Sequence, residues 1–250
     1  MTIACLITIK IFDTFIYSNA KIININSADI NISTSKINEI ISKFLEHLKI
    51  DDLKVIYGDH NSYIRVTKML NKNKKQIDIP KWIMPSVGYE LDYLLGSIWY
   101  SSKIYQKDKY VKRFNLIAQV LPTFFIFAYL LFFVLNIILI ILNKYVLSSA
   151  DYYGSIFEFL GKYFILDMFV IILFIFYISS LYFATKQKIN IETLYERDIV
   201  KFVDENCVGY KSDIGAARVH SIKIDKLFFN TFMFNKKTSN MKFLGPFTLL

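Results

Sequence analysis

Residues 116–142 read LIAQVLPTFFIFAYLLFFVLNIILIIL, and residues 163–184 read YFILDMFVIILFIFYISSLYFA. No charged residue lies between Phe114 and Leu142, and none between Met168 and Thr185. The shorter uncharged run holds 18 residues, which as a helix reach roughly 27 Å, close to the ~30 Å of bilayer hydrocarbon. Helices this apolar on every side would need a core larger than a chain of 250 residues supplies. The fold class read from these stretches is a membrane protein, a two-helix transmembrane hairpin inserted between α+β cytosolic segments. The first run is longer than a straight crossing requires. It is expected to tilt, to kink at Pro122, or to project its first turn beyond the hydrocarbon.

Working outward, the 20 residues between the runs, NKYVLSSADYYGSIFEFLGK, carry only Lys144 and Lys162 against Asp151 and Glu158. Lys103, Lys107, Lys109, Lys112 and Arg113 precede the first run, and Lys186 and Lys188 follow the second. The positive-inside rule then puts both flanks, and both termini, in the cytoplasm and the loop outside. Residues 1–115 hold 17 Lys and Arg against 11 Asp and Glu, and residues 186–250 hold 11 against 7. Basic surface beside a bilayer points first to anionic lipid. Nucleic acid is the second reading, and direct binding to it stays open.

The chain divides into a cytosolic α+β lobe (1–85), an amphipathic juxtamembrane helix (86–115), the hairpin (116–184) and a C-terminal α+β lobe (185–250). In the first lobe Ile3–Tyr17 and Ala20–Ile32 read as strands joined by a turn at Ser18–Asn19, because β-branched residues dominate and Ile23, Ile25, Ile30 and Ile32 alternate. Ser33, Thr34 and Ser35 are N-cap candidates for a helix whose face carries Ile37, Ile40, Ile41, Phe44, Leu45 and Leu48. Leu53–Tyr57 and Ser62–Leu70 read as further strands, around a turn at Gly58–Asn61. Ser86–Arg113 reads as one helix that lies on the inner membrane surface or runs into the first span as a rod. Asn190 is a cap candidate for a helix reaching Phe202 or Glu205. Val219–Ile224, Leu227–Phe234 and Leu244–Leu250 read as strands, with a basic turn at Lys236–Lys237.

Polar residues inside the runs are the candidate functional positions: Gln119, Asn136, Asp167, Ser179 and Ser180. In an antiparallel hairpin, Asn136 and Asp167 fall at one depth near the outer end, and Gln119 with Ser179 and Ser180 at another near the inner end. Two matched polar levels can join the helices by hydrogen bonds or line the inside of an oligomer. Asp167 can also snorkel to the outer headgroups. Two helices enclose no pore, so conduction requires several copies.

No phosphate-binding glycine loop, nucleophile elbow or zinc-protease motif occurs. His47, His60 and His220 stand far apart, and Asp51–Asp52 sits at a helix-to-strand junction. Cys5 and Cys207 have no paired spacing, so they read as reduced thiols, with Cys5 in an apolar strand core. The N-terminal run, interrupted by Lys10 and Asp13, does not read as a signal peptide. The run KIYQKDKYVKRF (residues 103–114) could stack on bases, but beside an apolar span a headgroup anchor accounts for it better. These features predict no enzyme, no cofactor and no metal site.

The architecture, two spans with a short outer loop and cytosolic lobes over the whole chain, resembles the small two-transmembrane effectors of bacterial antiphage systems. The resemblance is one of arrangement, without a shared motif. It implies an inner-membrane toxin held silent by a partner, which on release oligomerises, damages the membrane and kills the infected cell by abortive infection. Without a glycine loop for phosphates, the retron type, restrained by a reverse transcriptase with its nucleic acid, fits better than the type fired by cyclic nucleotides. The competing expectations are a non-toxic membrane anchor or sensor subunit that docks a soluble complex, and a small transporter regulator.

Overall fold

The structure, a computed structural model, describes residues 1–19, 32–58, 66–81, 84–145, 159–161, 164–224 and 245–247. Two long helices form the hairpin. Helix α5 (Leu121–Tyr145) continues the short α4 (Lys109–Phe114) through a π-helical segment at Asn115–Val120, and α6 (Ile165–Asn206) runs antiparallel to it for 42 residues. Their most apolar windows have mean hydropathies of 3.0 and 2.3, yet only 22% and 17% of those windows is buried in the molecule. A core helix of a soluble protein would be mostly buried. Both helices are thus long and apolar enough to cross a membrane, and their outer faces (Phe124, Phe127, Leu131, Met168, Ile175) stand exposed.

The π-helical segment answers the irregularity foreseen at Pro122. Proline has no N–H, and its ring presses on the carbonyl four residues back. Widening the preceding turn, so that the Leu121 N–H donates to the Leu116 carbonyl five residues back, removes that conflict without breaking the helix. Thr123 adds a hydroxyl bond to the Gln119 carbonyl at 2.7 Å. Aromatic pairs set the helix register, with Phe125 against Phe176 (5.5 Å), Tyr129 against Phe174 (6.0 Å) and Phe132 against Phe169 (5.4 Å).

Segments before and after the hairpin share one core. Its axis is α3 (Val87–Tyr105), buried on every side from Val87 to Ser102. Around it stand α2 (Thr34–His47), the lower half of α6, and α7 (Lys211–Ile224). A sheet completes it, with β1 (Lys54–Tyr57) parallel to β3 (Gln76–Ile79) and β2 (Leu70–Asn71) antiparallel to β3, in the order β1-β3-β2. Gly88 and Gly96 let neighbours approach α3 closely: a Cβ at Gly88 would lie 2.5 Å from the Asp213 backbone, and one at Gly96 2.5 Å from the Pro246 ring. Phe247 follows Pro246 into the core against Trp99, Tyr100 and Tyr195.

Several expectations hold. Ser33 caps α2 by accepting from the Lys36 N–H, the Ile37, Ile40, Ile41 and Phe44 face is buried, and β1 is a strand. Others are corrected. Thr2–Asn19 is a helix, α1, not a strand and turn, and Cys5 on it is exposed. Ile3 and Leu6 of α1 pack on the hairpin, and the Tyr129 hydroxyl donates to Thr2 at 2.9 Å. Among the described residues no strand edge stands beside that apolar surface, so the backbone satisfies itself as a helix despite its β-branched content. Val66–Lys68 is a 3-10 turn, and the strand after it is only Leu70–Asn71. Helix α3 does not continue to Arg113. Lys107, in the left-handed region (φ 60°), ends it with Asp108 N–H bonded to the Lys103 carbonyl and its own N–H to that of Ile104. Asp108 then caps α4 through Tyr110 and Val111. Being buried all round, α3 does not lie on a membrane surface.

Asn190 starts no helix, since it lies within α6. Val219–Ile224 belongs to α7, not to a strand, and Gly245–Phe247 is a turn. Among the described residues, the body outside the hairpin is therefore mostly helical with one small sheet. The expected strands at 20–31 and 227–234, the turn residues 59–61 with His60, residues 62–65, the Lys236–Lys237 turn and most of the 143–162 loop lie outside the described residues.

Candidate functional site

Asn136 is one of the few polar residues buried within the apolar part of α5. Its Nδ2 donates to Oδ1 of Asp167 on α6 at 2.7 Å, so the hairpin brings this pair of polar residues together near its turn. At the other polar level, farther from the turn, the arrangement is different. Ser180 is buried and donates to the Tyr177 carbonyl of its own helix at 2.6 Å, Ser179 faces outward, and Gln119 is half-buried on the π-helical segment. A charge-assisted bond between a carboxylate and an amide is among the stronger neutral-to-charged contacts. It ties the two helices where their aromatic packing ends.

Below the apolar part of α6 lies a second constellation that the sequence reading did not identify. Lys188, Glu192 and Tyr195 project from α6, Asp92 from α3, and Arg218 and Ser221 from α7, all buried. Arg218 joins the helices: Nη2 bonds the Glu192 carboxylate, Nη1 stands 3.7 Å from Asp92 Oδ1, and the guanidinium lies 4.7 Å from the Tyr195 ring centre. Lys188 pairs with Glu192 at 3.3 Å and donates to the Ser221 carbonyl at 3.1 Å. The Tyr195 hydroxyl donates to the backbone carbonyl and to Oδ1 of Asp92, at 3.0 and 3.2 Å. Two cations thus face two anions in the interior, the arrangement in which buried charge is tolerated.

Burial dominates the electrostatics there. It pushes the Asp92 carboxyl up to about 6 against the opposing pull of Arg218, and raises the Tyr195 hydroxyl well above its usual range. Burial alone would lower the Arg218 guanidinium, but Asp92 and Glu192 raise it, so it stays charged. Nearby, the Asp213 carboxylate of α7 accepts from the Gly88 N–H at 2.6 Å and from the Ser86 hydroxyl, capping α3 from another helix. His220 packs edge-on to Tyr89 at 5.9 Å.

The signal for this network is present at helical spacing. Lys188, Ile191, Glu192, Tyr195 and Ile199 form one stripe of α6, charged residues alternating with apolar ones. The remaining candidates have structural partners. His47 stacks near Phe44 and Phe202, and Asp52 takes the Tyr105 hydroxyl (2.5 Å) and Lys75 (2.9 Å). Cys207 is buried, which pushes its thiol up to about 11. Among the described residues no three His, Cys, Asp or Glu side chains converge to hold a metal ion. Comparison with protein families, with characterised proteins and with solved structures finds no match to this chain.

Proposed function

We propose that the chain is a membrane effector of bacterial antiphage defence. In this reading the hairpin crosses the inner membrane, both flanks face the cytoplasm, and a restraining partner acts on the cytosolic body. On release, several hairpins assemble and make the membrane permeable. The observation that carries the reading is the continuity of α6. One unbroken helix, about 63 Å long at 1.5 Å per residue, joins the apolar run to the Lys188, Glu192 and Tyr195 network. A change in the cytosolic body therefore has a stiff element through which to turn or shift the hairpin. The Asn136–Asp167 bond, closed within one molecule, fits the silent state, and exchange of these partners between molecules fits the assembled one.

Expression without neighbouring genes tests this. A voltage-sensitive dye should report depolarisation of cells making the parent chain. The Asp167→Leu form should insert equally and not depolarise. Full viability and normal potential at parent expression levels would contradict the proposal. A second reading, a non-toxic anchor that docks a soluble complex, is favoured by a groove of about 310 Å³ between α6 and α7, lined by Ile199, Val203, Ile214 and Ile222 among others. Normal potential with a stable soluble partner would support it instead.

A further inference from the structure

A second cleft, of about 320 Å³, opens where α4 crosses α6, at the end of the hairpin carrying the basic flanks. Tyr110 and Arg113 line it from α4, and Gln187, Asn190 and Thr193 from α6, over an apolar floor that includes Phe114 and Ile191. None of its lining residues is acidic. Arg113 is exposed and has no carboxylate within ion-pair distance among the described residues, whereas Lys103 and Lys188 are both engaged. The Gln187 and Asn190 amides make no side-chain hydrogen bond to the described protein. One exposed cation, two free amides and an apolar floor form a site for an anion carrying an apolar body. Its level is the boundary between the last apolar turn of α6, ending near Ala184, and the cytosolic network that begins at Lys188.

We propose that this cleft binds the phosphate of an anionic phospholipid of the cytoplasmic leaflet. Arg113 meets the charge, Gln187 and Asn190 donate to the phosphate oxygens, and Tyr110 and Leu194, the more accessible apolar lining residues, contact the glycerol and upper acyl chain. The chemistry is that of basic pockets at the cytoplasmic ends of membrane helices. Occupancy would bridge α4 and α6 at the foot of the hairpin. The inference rests on the proposed membrane location.

The test uses full-length protein in nanodiscs of phosphatidylcholine alone or with one-fifth phosphatidylglycerol, followed by mass spectrometry of retained lipid. The ratio of phosphatidylglycerol to phosphatidylcholine in the co-purified lipid should exceed that of the mixture by roughly fivefold, the effect of one basic side chain near a membrane surface. Arg113→Gln should abolish the enrichment. Lys112→Gln, an equal loss of charge outside the cleft lining, should retain it. No enrichment in the parent, or equal loss in both variants, would overturn the site in favour of diffuse surface charge. A parallel arm measures thermal protection by millimolar inorganic phosphate in phosphatidylcholine discs. Protection equal to that by the lipid would overturn the lipid assignment. Failure of the membrane reading is a separate result, since the chain would then leave membranes on alkaline carbonate extraction.

Discussion

Arg218 is where three helices are joined, and its removal has a calculable cost. Arg218→Met keeps most of the side-chain volume but leaves Asp92 with the Tyr195 hydroxyl, and Glu192 with Lys188. Removing one partner of a buried ion pair costs about 3–5 kcal/mol, because the charge left behind is neither solvated nor paired. Such a loss is a large share of the ~5–15 kcal/mol that holds a domain together. For 150–250 residues each kcal/mol moves the melting midpoint about 2–4 °C, so a fall of about 6–20 °C is expected. The measurement is thermal unfolding of the full chain in detergent, followed by tryptophan emission, since Trp99 is buried among Tyr195 and Phe247. Arg218→Met/Glu192→Met removes one charge of each sign and should be less destabilised than the two single changes together by at least about 1 kcal/mol. A single variant within 1 °C of the parent, or strict additivity in the double, would refute the reasoning that this network fastens α6 to α3 and α7.

Three other outcomes follow from the geometry. In Asp167→Asn the bond from Asn136 is kept without the charge, so the helices should stay paired, whereas Asp167→Leu should weaken their association by about 0.6–1.7 kcal/mol; a disulfide cross-linking series between α5 and α6 reads this, and equal behaviour of the two variants would contradict it. Burial raises the Asp92 carboxyl from its ordinary value to about 6, so protonation favours the folded state. Relative to Asp92→Asn, the parent should have this stabilisation in full below about pH 4 and lose it as pH rises through about 6; a flat difference across pH 4–7 would exclude it. Gly88→Ala forces a methyl group to 2.5 Å from the Asp213 backbone. It should destabilise by about 1–3 kcal/mol, measured by denaturant unfolding, and a neutral result would show that α7 yields easily.

What the sequence discloses divides along physical lines. Uncharged runs about as long as bilayer hydrocarbon is thick carry their own meaning, so the two apolar helices and the depth match of Asn136 with Asp167 could be read directly. Helix α2 was legible because its cap and its apolar face agree. Helix α1 was not, because ITIKIF has the residues of a strand and becomes a helix only against Tyr129 and its neighbours. Helix α7 was hidden for another reason. Its buried face holds Asp213, Ile214, Ala217, Arg218, His220 and Ser221, so the inward-facing period is mostly polar and VHSIKI reads as alternation. The same substitution of charge for apolar side chains concealed the network on α6. The break in α3 depends on Lys107 adopting a left-handed conformation that most side chains avoid, and composition does not announce it.

The central claim, that these two helices cross a bilayer with both flanks on one side, is tested most directly by alkaline phosphatase fusions along the chain in bacteria. The account predicts high enzyme activity for fusions within residues 143–162, and background activity for fusions at Gln106, Asn206 and Leu250. Activity at Leu250, or none within 143–162 despite equal protein levels, would contradict it.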